Sequence, residues 1–201
     1  MVSLRVRNPE LTKEKILEKA GILFNTKGYK NTSISNITDA TGYTKGAIYR
    51  HFENKEELER ETLFHLSSIM FEKVRAVIKE QLNAGDKLRA VFKYFESYIT
   101  SPPIEGGCPL LNAAIEADDA NPALRKEALK VLTILRESLL HILKKGVEHK
   151  QIKQGVDKEL YSTLIMASLE GAIMMSKLTG NSEDIKRVIG HLEKLITEIE
   201  E

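Results

Sequence analysis

Cysteine is nearly missing from this sequence: of 201 residues only Cys108 carries a thiol. That excludes an internal disulfide and a multi-cysteine zinc site. Long apolar runs are missing too. No stretch approaches the roughly 18 residues that a membrane-spanning helix needs, and the N-terminal MVSLRVRNPE has no apolar segment of the kind a secretory leader carries. The expectation is a soluble cytoplasmic chain with no membrane partner. There is no Gly-rich phosphate loop, no HExxH pair and no nucleophile elbow. His65, His141, His149 and His191 are scattered, and Cys108 has no histidine near it in sequence. No enzyme, no metal site and no cofactor is expected. Strand-like alternation, internal repeats and low-complexity segments are also absent.

Net charge is close to absent, at +1, but its distribution is uneven. Residues 1–52 hold nine Lys/Arg against four Asp/Glu, whereas residues 53–201 hold 21 against 25. A basic head on a mildly acidic body implies that only the head meets a polyanion. A hydrophobic content of 42% allows a packed core.

What the sequence does have is helical periodicity. Ile16, Leu17, Ala20, Leu23 and Phe24 form one apolar stripe, on a helix expected to start near Thr12 and to stop at Gly28. Thr32 or Ser33 caps a second helix with Ile34, Ile37 and Ala40 inward. Gly42 supplies a turn, and Thr44 caps a third helix with Ile48 and Phe52 inward. Asn54-Lys-Glu-Glu57 resembles a capping box and opens a fourth helix to about Leu82. A fifth spans about Asp86 to Thr100. SPPIEGG, residues 101–107, breaks the chain. A short helix follows at Pro109–Ala117, then one opened by Asn121-Pro122 and running to Glu148, then two more at roughly 156–179 and 182–200. The expected fold is all-α, with about nine helices. Two domains are expected, a three-helix head over residues 1–53 and a helical body over residues 54–201.

The segment TSISNITDATGYTKGAIYRHF, residues 32–52, reads as two short helices joined by a tight turn. Its second helix carries Thr44, Lys45, Tyr49, Arg50 and His51 and no acid, so it suits an anion. Such a helix presents its first residues to base edges in the major groove while flanking groups hold phosphate. Lys45 can reach a guanine edge or a phosphate, Ala47 a thymine methyl, and Arg50 a guanine. Gly46 lets the backbone come close to DNA. Thr32, Ser33 and Lys55 lie at helix N-termini, where backbone N–H groups favour phosphate. Lys13, Arg5 and Arg7 are candidates for nonspecific phosphate contact.

GYKNTSISNITDATGYTKGAIYRHFENKEEL, residues 28–58, closely resembles the N-terminal region of TetR/AcrR-family transcriptional regulators. The match covers roughly Thr12–Leu58. It rests on Gly-Tyr-x-x-Thr-Ser, on Thr-Lys-Gly-x-Ile-Tyr-x-His-Phe, and on Asn-Lys-Glu-Glu-Leu. Thr41-Gly42-Tyr43 departs from the family's frequent Ala-Gly-Val and touches only contacts at the helix edge, Tyr43 among them. The resemblance implies phosphate contacts by Tyr49 and His51, and a repressor acting on a double-stranded palindromic operator.

Two further expectations join the residues to that resemblance. In residues 160–178 only Glu170 and Lys177 are charged, so this helix must be covered on several sides. With the last helix it is expected to form a four-helix homodimer interface through Leu164, Ala167, Ser168, Gly171, Met175, Val188, Leu192 and Leu195. The resemblance also implies a small-molecule effector cavity, for which the candidates are Phe64, Phe71, Phe92, Phe95, Tyr98, Cys108, Leu111, Asn112, Ile115, Glu116 and Met166. Glu116, Asp118 and Asp119 either offer carboxylates to a cation or an amine or solvate a helix end before the Asn121 cap. Ligand would shift the fourth helix and so the spacing of the two readers. The competing expectation is a DNA-binding protein controlled by a protein partner, or by no ligand. A cavity of a few hundred Å3, on the order of 300, would favour ligand control, and a fully packed C-terminal domain the competitor.

Overall fold

The computed structural model describes residues 8–117 and 121–201. Among these residues there are nine helices: α1 (Pro9–Lys27), α2 (Ile34–Thr41), α3 (Lys45–Ile48), α4 (Lys55–Lys79), α5 (Ala84–Thr100), α6 (Pro109–Ala117), α7 (Pro122–Glu148), α8 (Lys158–Thr179) and α9 (Glu183–Ile199). The described residues contain no strand, only an isolated bridge between Ile152 and Glu200.

Side-chain caps set most of the boundaries. Asn54, Asn83 and Asn121 each accept the N–H three residues on, from Glu57, Asp86 and Leu124, which satisfies donors that a helix start leaves free. Ser33 caps α2 in a reciprocal box with Asn36. The first helix starts earlier than expected: Asn8 is its cap, Pro9 its first residue, and Thr12 lies inside the first turn with its hydroxyl donating to the Asn8 carbonyl. The Asn-Pro pair that opens α7 therefore opens α1 as well. Gly42 and Gly180 close α2 and α8 in the left-handed conformation. The reader helix is shorter than expected. Regular α3 ends at Ile48, and the next turn tightens, with His51 N–H donating to the Ile48 carbonyl at 3.0 Å.

The head packs α1, α2 and α3 around Ile16, Ala20, Phe24, Ile37, Ile48 and Phe52, all at most 1% exposed. Burial of each Ile or Phe among them contributes about 1.5–3 kcal/mol before entropy is counted. α4 leaves this core directly, packs along α1, and continues into the body against α5 and α7. At 25 residues it is about 37 Å long, so one rigid rod belongs to both regions. α8 and α9 close the far side of the body. The chain end is tied back by Arg89, which donates to both Glu200 carboxylate oxygens at 2.8 and 2.6 Å. That bidentate pairing raises the guanidinium pKa above its usual value.

Candidate nucleic-acid interface and effector site

Thr44, Lys45, Gly46, Tyr49 and Arg50 are exposed, and Tyr43, Ala47 and His51 are half-buried, on one surface of the head. Thr44 fixes the start of α3 by accepting the Ala47 N–H at 3.2 Å. The Lys45 ammonium sits 5.8 Å from the centre of the Tyr49 ring, within cation–π range. The Lys15 ammonium lies 5.8 Å from the Tyr43 ring. A Cβ added at Gly46 would meet nothing within 4 Å, so no internal packing requires glycine there. Ser33 is exposed, with its hydroxyl engaged by Asn36 at 2.8 Å.

Three of the expected phosphate contacts have other partners. The Thr32 side chain is fully buried, and its hydroxyl donates to the Gly28 carbonyl at 2.7 Å. The Lys55 ammonium turns inward, donating to the Tyr29 carbonyl at 2.7 Å and pairing with Glu59 at 3.0 Å. Lys13 pairs with Glu61 at 2.6 Å. Arg5 and Arg7 lie outside the described residues.

Those inward contacts belong to a polar junction between head and body. The Glu116 carboxylate, at the end of α6, accepts the backbone N–H of Tyr29 and of Lys30, each at 3.0 Å. Tyr29 stacks on Phe24 with centroids 4.8 Å apart, and burial beside Glu59 and Glu116 raises its phenol pKa far above the usual value. Glu59 in turn accepts the side-chain N–H of Asn121 at 2.8 Å. Asn112 donates to the Asn25 side chain at 2.9 Å, and Asn25 donates to the Glu105 and Gly107 carbonyls at 2.7 and 2.9 Å. Gly28, at φ 91°, is needed here, since a Cβ would lie 2.7 Å from the Glu116 carboxylate. Asn112 and Glu116 are thus struts to α1 and do not face a cavity in the body. The Glu116 strut was beyond sequence reasoning: its partners lie 86 and 87 positions away.

Inside the body a cavity of about 30 Å3 is lined by residues of α4, α5, α7 and α8, among them Phe95, Met166 and Glu170. This is room for one water molecule, an order of magnitude below the few hundred Å3 set out above. Of the expected lining residues, Phe95 and Met166 are on its wall. Phe92 is fully buried core, Phe71 and Leu111 are half-buried against the core, and Phe64 and Ile115 are 60% and 67% exposed. Ile115 lines an open groove of about 490 Å3 over the junction, together with Asn112 and Glu116. A position not expected to matter, Glu170, is the one carboxylate on the cavity wall. The Cys108 thiol donates to Glu170 Oε1 at 3.0 Å, while Oε2 is buried without a partner. Tyr94 and Tyr98, edge to face at 5.7 Å, are close enough to affect each other's ionisation. Neither hydroxyl closes a hydrogen bond of normal geometry. Burial raises the Glu170 pKa to about 7 and pushes Cys108, Tyr94 and Tyr98 up as well, so all three stay neutral.

On α8, Leu160, Leu164, Met174, Met175 and Leu178 are 40% to 81% exposed. Ala167 is exposed and Gly171 opens onto free space. Ser168, Val188 and Leu195 are half-buried at the edge of this face. Leu192 departs from expectation: it is 1% exposed, inside the subunit core with Ile185, Ile189 and Ile196. The seam on α9 mostly packs inward, and only its flank is left for a partner.

A helix-turn-helix head on an all-helical body defines a DNA-binding transcriptional regulator. Two family models match the chain. One, described as bacterial regulatory proteins of the tetR family, covers residues 16–62, and one described as the tetracyclin repressor-like C-terminal domain covers residues 84–192. The chain belongs to the TetR family of transcriptional regulators. It is similar to the crystal structure of a TetR transcriptional regulator from Chloroflexus aurantiacus, at 35% identity with a TM-score of 0.91, covering 96% of this chain and 97% of that one. It is also similar to a TetR-family regulator from Cytophaga hutchinsonii, at 32% identity with a TM-score of 0.90, covering 98% of both chains. Among curated proteins it is 24% identical over 178 residues to the HTH-type transcriptional repressor DhaR of Mycobacterium sp. strain GP1, covering 88% of each.

Proposed function

We propose that a homodimer of this chain represses transcription by binding a palindromic operator and is released by a small-molecule effector. The head, residues 1–53, reads DNA; the body, residues 54–201, pairs and responds. The observation that carries the reading is the Thr44–Arg50 surface. Its glycine has no internal purpose, and its cation and phenol stand exposed beside an N-capped helix. Lys45 and Arg50 read base edges, and Tyr49 and His51 hold phosphate. The exposed α8 stripe supports pairing, since an apolar face of this kind on a soluble domain calls for a partner.

Release runs through two elements. α4 carries motion of the body into the head core. α6 touches Glu170 through Cys108 at its start and holds α1 through Glu116 at its end. An effector that prefers the displaced arrangement changes reader spacing by its differential affinity, typically about 1–3 kcal/mol.

The reading in which no small molecule acts draws support from the small cavity. Against it stands Glu170 Oε2, a buried carboxylate oxygen without a partner, on a residue of the cavity wall. Buried polar groups are rarely left unpaired without a use. The test of DNA binding is selection from a random duplex pool with purified protein. The expected product is a palindrome with half-sites about 10 base pairs apart or a multiple of that. No enrichment at low ionic strength, or a protein that stays monomeric, overturns the proposal.

A further inference from the structure

We infer that the effector is an amphipathic cation, an apolar body bearing a protonated amine, whose amine is received by Glu170 inside the α4/α5/α7/α8 cavity. This rests on the ligand-controlled reading above and names its chemistry.

The wall is apolar, with Val74, Phe95, Leu139 and Met166 among its residues. Its two polar residues are Glu170 and the exposed Ser138. One Glu170 oxygen is satisfied by the Cys108 thiol and the other is not. No lysine or arginine lines the cavity. Lys177, two turns further along α8, is turned to the Gly106 carbonyl. The other titratable groups around Glu170 are Cys108, Tyr94 and Tyr98, all held neutral by burial. A carboxylate so placed lacks the counter-charge that buried ions normally have. An ammonium supplies that charge and N–H donors, for which Glu170 Oε2 on the cavity wall is an unused acceptor. Phe95 is an aromatic ring on the same wall, and a ring face suits a cation. A carboxylate ligand would meet repulsion at the same point.

The space is closed to about 30 Å3, so a guest must displace side chains. Met166, half-buried on the wall, is the adaptable one, with three rotatable bonds. The amine takes Oε2 and leaves Oε1 to the Cys108 thiol, so a shift of Glu170 around the guest reaches the start of α6 through that bond.

The test is calorimetric titration of the full-length protein, without DNA, using n-octylamine, octanoate and n-octanol. The amine should bind with one site per subunit, octanoate should not bind, and n-octanol should bind more weakly than the amine. Glu170→Gln should weaken the amine about tenfold or more and leave n-octanol unchanged. Met166→Trp, filling the cavity with the carboxylate intact, should abolish binding of both; circular dichroism checks that each variant is folded. Octanoate binding as tightly as the amine, an amine indifferent to Glu170→Gln, or no amine binding overturns the inference. Glu170-dependent amine binding that leaves operator affinity unchanged overturns ligand-controlled repression instead and leaves the site standing.

Discussion

Acidification should strengthen the fold across the window in which Glu170 takes up its proton. Burial raises its pKa from 4.5 to about 7. Between those values the folded chain keeps a proton that the unfolded chain releases. Stability from this group is therefore fully present below about pH 4.5 and is lost as pH rises to about 7. Each pH unit in the window is worth about 1.4 kcal/mol, so the whole effect is at most about 3 kcal/mol. Glu170→Gln keeps a carbonyl oxygen for the Cys108 thiol and does not titrate. The difference between variant and wild type cancels every other group that titrates in the same range, and Cys108, Tyr94 and Tyr98 stay neutral throughout. The assay is thermal unfolding of both proteins at equal concentration from pH 5 to 8. Between pH 5 and pH 8 the linkage amounts to about 2.5 kcal/mol, so at pH 8 the variant should gain on wild type, relative to pH 5, by about 5–10 °C, taking about 2–4 °C per kcal/mol for a chain of this size. Parallel melting curves over the whole range would refute the reasoning, because they would mean that Glu170 is solvated and ordinary.

Three other outcomes are expected. Glu116→Ala strands the Tyr29 and Lys30 N–H groups and should cost about 1–3 kcal/mol in urea unfolding, while Glu116→Gln, which keeps an acceptor, should cost less. Tyr49→Phe should weaken binding to all operator variants alike in a fluorescence anisotropy titration, whereas Arg50→Ala should relax preference at one position per half-site. Leu164→Asp places a charge in the exposed α8 stripe and should shift sedimentation from dimer to monomer without loss of helicity by circular dichroism.

Local chemistry made much of the fold legible. Asn54, Asn83, Asn121, Gly42 and Gly180 mark ends that depend on neighbours three to five residues away, and such signals survive in a bare sequence. The start of α1 is equally visible in Asn8-Pro9, but Thr12 offers a rival cap four residues on. Leu192 shows a different limit. A stripe at helical spacing says that a face is covered, not whether its own subunit or a partner covers it. The Thr44–His51 surface could be expected from sequence because all its parts are contiguous. Lys55 and Glu116 could not be placed, since their partners are 26 and 86–87 positions away and polar pairing leaves no periodic trace.

The size of the α6 contacts matches the job assigned to them. α6 has nine residues and so is about 13 Å long, short enough to move as a rigid body. A displacement at Cys108 then arrives at Glu116 almost undiminished. The two bonds there are 3.0 Å long, and lengthening them by about 1 Å takes them past the range in which a hydrogen bond counts. Charge-assisted bonds of this kind contribute about 1.5–3 kcal/mol each when sheltered and less where, as at Lys30, solvent reaches them. What α6 can withdraw from the head is therefore of the same order as the coupling of about 1–3 kcal/mol that allosteric proteins use. A much stronger strut would hold the head against any effector, and a much weaker one would leave its position indifferent to the body.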